Sequence, residues 1–100
     1  MTLDEANKLV SRLSDPAVAT AWTCGLSATA LVWLMRLARH SPILMCGHVQ
    51  GAGHCWVQCE DRWFDPTIEQ FGKYPISGQL PHPLAVNSWA AERPKDIAEG

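Results

Sequence analysis

One hundred residues, 47% hydrophobic and 18% charged, are enough for a single small core and too apolar for global disorder. The formal net charge of -2 supplies no basic field, which argues against nucleic acid and anionic membrane as partners. The opening residues Met1-Thr2-Leu3-Asp4-Glu5 lack the basic run and apolar core of a secretory signal. A cytoplasmic location is therefore expected, with export as an effector by a signal-independent route left open.

From the N-terminus, Thr2 to Ser14 reads as a helix. Thr2 and Glu5 fit the S/T-x-x-E capping box, and Leu3, Ala6, Leu9, Val10 and Leu13 recur at helical spacing. Asp15-Pro16 ends it or starts the next turn, and 17–23 reads as a linker-like approach to a second helix. That helix opens at Cys24 or Gly25 and runs to about Arg39, apolar nearly all round, so burial on most sides is expected. Pro16 to Met35 carries no charge over a length that would span a bilayer. Its interspersed Thr, Ser and Gly residues and the closing Arg36 instead favour a buried helix of a soluble domain.

Ile43-Leu44-Met45-Cys46 starts a strand continuing towards Val49, and Gly47, Gly51 and Gly53 mark a turn between strands. Gly53 to Thr67 then reads as a β-hairpin. Alternation puts His54, Trp56 and Gln58 on one face and Cys55, Val57 and Cys59 on the other. With Glu60-Asp61 as the turn, Gln58 opposes Trp63, Trp56 opposes Asp65, and His54 and Asp65 become diagonal neighbours on one face. A three-residue loop would reverse the parity and separate them. Thr67 to Gly72 reads as a short turn or helix. Tyr74 to Ala91 is uncharged but broken by Pro75, Pro81 and Pro83, so extended segments anchored by Ile76, Leu80, Leu84, Val86 and Trp89 are expected. Glu92 to Gly100 reads as a frayed polar end of one domain covering 1–100.

Three residues of this pattern carry chemistry together. A cysteine nucleophile needs a thiolate, a base or ion-pair partner, and a group that orients that partner. Cys24 at a helix start suits the first role, His54 on a strand the second, and Asp65 on the adjoining strand the third. Each alone has a plain structural reading, as a small buried thiol, a strand residue and a turn residue. Together they explain one another.

Cys24-Gly25-Leu26-Ser27 opening an apolar helix, His54-Cys55-Trp56-Val57, and Trp63-Phe64-Asp65-Pro66-Thr67 resemble the transglutaminase-like branch of the papain-like cysteine enzymes. The resemblance covers roughly Thr23 to Gly72 and is most specific in the hairpin. It implies an α+β fold: N-terminal helices, with a central buried helix packed on a small antiparallel sheet. It also implies acyl transfer from an amide of a protein or peptide substrate through a thioester on Cys24, with no cofactor. The acceptor is water in a peptidase or deamidase and an amine in a transglutaminase. Papain-type enzymes carry an oxyanion-hole glutamine just before the cysteine, and 18–23 contains none. Trp22, Gln50 or the Cys24 N–H stand as candidates for that donor, and Trp56 as a residue lining a substrate groove. The short span from Cys24 to His54 also leaves little wall for a pocket.

Two other classes compete. One is a non-enzymatic binding module on the same fold. The other is a zinc domain built from Cys46, His48, His54, Cys55 and Cys59, although no C-x₂-C pair occurs and Cys55 and Cys59 face away from His54. The four cysteines otherwise read as reduced thiols; Cys55 and Cys59 cannot bridge along one strand, whereas Cys46 can pair with either across strands.

Overall fold

A computed structural model describes residues 1–15 and 24–91. The expected linker 17–23, with Trp22, and the polar end 92–100 lie outside the described residues. The fold is α+β. Two helices, α1 (Leu3–Leu13) and α2 (Cys24–Leu37), precede the strands β1 (Ile43–Val49), β2 (Ala52–Cys59), β3 (Arg62–Phe64), β4 (Ser77–Gln79) and β5 (Val86–Ala90), with a 3₁₀ turn at Ile68–Phe71. The strands form one antiparallel sheet in the order β4-β3-β2-β1-β5.

The capping box at the start of α1 is complete. The Thr2 hydroxyl accepts from the Glu5 N–H at 3.1 Å, and the Glu5 carboxylate accepts from the Thr2 N–H at 3.0 Å. Leu3, Ala6 and Val10 of α1 pack with Ala28, Leu31, Val32 and Met35 of α2 against Cys46, Cys55, Val57, Cys59 and Phe64 of the sheet. That is the core on one face of the sheet. Leu9 and Leu13, expected on the inner stripe, are exposed at the edge of the α1 contact.

Helix α2 is less enclosed than its all-round apolarity suggests. Trp33 (59% exposed), Leu37 (77%) and Leu26 face outward, because α1 and the sheet together cover only part of its circumference. The helix ends at Leu37, two residues early, where Arg39 turns left-handed (φ 68) and the His40 N–H reaches back to the Met35 carbonyl at 2.9 Å. Among the described residues no helix is long and apolar enough to cross a membrane.

The other face of the sheet carries a second cluster of Trp56, Trp63 and Ile68, packed by Met45, Tyr74, Ile76, Leu84 and Ala85. Two glycines make room for the indoles. A Cβ on Gly47 would lie 2.8 Å from the Trp56 ring, and one on Gly78 would lie 2.9 Å from Trp63 Nε1. Gly47 is thus a strand residue under a ring, and the β1–β2 turn is Gln50-Gly51 alone, with φ 52 and 82 as a two-residue primed turn requires. The segment after Tyr74 also differs from its expected form. It contributes β4 and β5 to opposite edges of the sheet, so Leu80, Val86 and Trp89 are exposed while Ile76 and Leu84 do act as anchors.

Candidate thiol–imidazole–carboxylate site

The hairpin register is the one the alternation predicts. Gln58 opposes Trp63 and Cys59 opposes Arg62, which leaves Glu60-Asp61 as a two-residue loop with Glu60 at φ 59. His54 and Asp65 consequently share the face opposite the helices. Their fully buried side chains meet through His54 Nε2 and Asp65 Oδ2 at 2.6 Å. Asp65 is fixed from several directions. Its N–H donates to the Ile76 carbonyl at 2.8 Å, which also accepts from Asn7 Nδ2 of α1 at 2.9 Å. Its Oδ1 accepts from the Thr67 N–H (3.2 Å) and hydroxyl (3.4 Å), an Asx-type turn that carries the chain away from the ladder.

A fourth side chain completes the carboxylate's surroundings. His82, in the β4–β5 connection, is buried, and its Nε2 lies 2.8 Å from Asp65 Oδ2. Its Nδ1 accepts from the Leu84 and Ala85 N–H groups, each at 3.2 Å. An imidazole whose Nδ1 accepts must carry its proton on Nε2, so His82 donates to Asp65. The carboxylate then accepts two hydrogen bonds on each oxygen, the full complement of an ionised group. The His82 ring packs against Trp56 and Trp63 at 4.8 and 4.9 Å between centroids. His82 escaped the sequence analysis because the proline-broken stretch around it carries no periodicity that would aim it at the hairpin.

Cys24, half-buried, is the first described residue of α2. β3 pairs only with Val57–Cys59, and among the described residues the earlier half of β2 has no strand partner on that side. Cys24 adjoins both Cys55 and His54. With Nε2 engaged by Asp65, the nitrogen left for the thiol is the buried His54 Nδ1, which has no hydrogen-bond partner among the described residues. A loose sulfur–imidazole contact is common in a ligand-free thiol site and tightens when substrate is bound.

The charges favour an ion pair. The Cys55 thiol holds Cys24 down most strongly; burial opposes it, and the His54 ring and the Cys55 N–H assist, leaving Cys24 at about 4. Burial alone would depress His54, but its bond to Asp65 and the adjoining Cys24 sulfur outweigh this and raise it to about 9. Burial likewise works to protonate Asp65, yet the His54 and His82 hydrogen bonds keep its carboxyl below the usual range. Cys55 is pushed well above the ordinary thiol range by sharing its proton with Cys24, by burial and by neighbouring Cys46. Its role as the partner of Cys24 was not foreseen, since strand parity alone sends it away from His54.

The remaining candidates fall around this centre. The Gln50 side chain donates to the Phe71 carbonyl at 3.4 Å, and Phe71 stands edge-on to His54 at 4.9 Å, so Gln50 sits at the rim. Trp56 is buried and stacked beside His54, and with Met45, Gln58, Pro81 and His82 it lines a cleft of about 270 Å³. Of the five residues suggested for zinc, Cys46 faces Cys55 with 3.8 Å between sulfurs that form no disulfide, and Cys59 lies at the far end of β2. The donor atoms that converge among the described residues are instead those of His54, Asp65 and His82. They stand at hydrogen-bond separations of 2.6 and 2.8 Å to the shared oxygen, whereas tetrahedral zinc with bonds of ~2.0–2.1 Å holds its ligand atoms roughly 3.3 Å apart. The trio fits protons better than a metal ion.

No family model, curated protein or solved structure matches the chain.

Proposed function

We propose that this chain is a small cysteine-dependent amide hydrolase or acyltransferase with a transglutaminase-like or papain-like core. The observation that carries the reading is a buried His54–Asp65 pair whose free Nδ1 adjoins a thiol held far below its ordinary pKa. In the first step the Cys24 sulfur attacks the amide carbonyl carbon, and the electron pair moves onto the oxygen. Collapse of that intermediate breaks the C–N bond, and protonated His54 gives its Nδ1 proton to the departing amine. The thioester is then attacked by water or an amine, whose proton returns to His54 as the Cys24 sulfur leaves. Asp65 holds the ring and stabilises its charged form throughout. The Cys24 N–H and Gln50 are the candidates for stabilising the oxyanion, which is worth ~10²–10³ in rate per good donor.

A protein or peptide amide is the substrate class. The complete burial of His54 and Asp65 also favours a second reading, a non-enzymatic binding module that retains the trio as core structure. Incubating wild type and Cys24→Ala with a mixture of cellular proteins, and reading the products by mass spectrometry, separates the two. Cleavage, deamidation or crosslinking that depends on Cys24 is the expected result. Identical product profiles from the two proteins would remove the enzyme reading.

A further inference from the structure

We propose that His82 is a positioning residue of this site, its Nε2–H holding the Asp65 carboxylate ionised and turned toward His54. The inference rests on the acyl-transfer reading and extends it to a residue outside the cysteine–histidine–aspartate set. The tautomer is the first support: two backbone N–H groups, from Leu84 and Ala85, leave Nδ1 only the role of acceptor. The second is convergence, since His54 and His82 reach the same oxygen of a fully buried carboxylate at 2.6 and 2.8 Å. The third is rigidity. Trp56 and Trp63, both buried, flank the His82 ring.

The titratable groups around Asp65 are His54 from β2 and His82 from the β4–β5 connection, with Cys24 of α2 and Cys55 of β2 adjoining His54. In so buried a place desolvation works towards the neutral acid, and the two imidazole donors oppose it. A protonated Asp65 no longer supports the His54 imidazolium, and the Cys24 thiolate loses its counter-ion. His82 thus acts on Cys24 through two intervening side chains.

The test measures iodoacetamide modification of Cys24 against pH in the full chain, for wild type, His82→Phe and His82→Gln. Phenylalanine keeps a ring between Trp56 and Trp63 without a donor; glutamine retains an N–H near the Nε2 position. In His82→Phe the acid limb, near pH 4 in wild type, moves up by about one pH unit, so the rate at pH 4 falls about fivefold. His82→Gln stays within about threefold of wild type. A folded His82→Phe with the wild-type profile overturns the proposal, as does a folded His82→Gln that behaves like His82→Phe. Should His82→Phe fail to fold, ¹⁵N NMR of the wild-type imidazoles decides: Nε2–H at His82 is expected, and an Nδ1–H tautomer overturns it. Equal labelling of all four cysteines in wild type would overturn the acyl-transfer reading itself, a failure distinct from a wild type whose selective Cys24 labelling survives His82→Phe.

Discussion

His54 and Asp65, eleven positions apart on the two arms of one hairpin, meet at 2.6 Å with neither side chain exposed. Only the ionised carboxylate satisfies every donor that converges on it. Replacing Asp65 by asparagine keeps the shape, removes the charge and turns an N–H toward one of the donors. Asp65→Asn should lower Cys24 modification at pH 4 by about fivefold or more, and lower thermal stability by about 3 kcal/mol, as expected when one partner of a buried charged pair is lost. Alkylation kinetics and a melting curve on the same sample check both.

Cys55 is the second control on the thiol. Its S–H and N–H both stabilise the Cys24 thiolate, whereas Cys59 lies at the other end of β2 against Arg62. Cys55→Ala should reduce Cys24 modification at pH 4 by about fivefold or more, and Cys55→Ser, which keeps a donor, should recover most of it. Cys59→Ala should change it by less than about twofold, because it touches no part of the site. Peptide-resolved mass spectrometry distinguishes the sites.

Gly47 ties the site's stability to a side chain that is not there. A methyl group at this position would stand 2.8 Å from the Trp56 ring and 3.2 Å from the Ser88 Cα. Gly47→Ala should therefore cost about 1–3 kcal/mol, since Trp56 cannot move without disturbing the stacked His54 and the tilted His82. Chemical denaturation measures the loss, and an unchanged midpoint would show that the indole has room to shift.

The hairpin was legible because its signals are local. Period-two alternation from His54 to Cys59 fixes the faces, and a two-residue turn fixes the register, so the His54–Asp65 contact follows from parity. The same holds for α1, whose capping box is a four-residue pattern. His82 and Asn7 were not legible because each acts through a distant backbone: His82 through a proline-broken connection, Asn7 through the Ile76 carbonyl that also receives Asp65. The partial exposure of α2 escaped for a related reason. Its composition is apolar on every side, and only the arrangement of α1 and the sheet decides which side stays open to solvent. Strand parity separated Cys55 from His54 correctly as faces, yet Cys24 adjoins both.

The central claim is that Cys24 is a thiolate paired with a protonated His54, and its pH dependence tests this most directly. Cys24 held at about 4 and His54 at about 9 place the ion pair between those limits. An ordinary thiol at pH 6 is ionised to well under about 1% and loses reactivity tenfold for each further pH unit. Iodoacetamide modification of Cys24, monitored site by site from pH 5 to 9, should instead stay nearly flat across the lower half of that range, with Cys46, Cys55 and Cys59 far behind. A Cys24 rate that falls tenfold per unit below pH 8, in step with the other three thiols, would contradict the account.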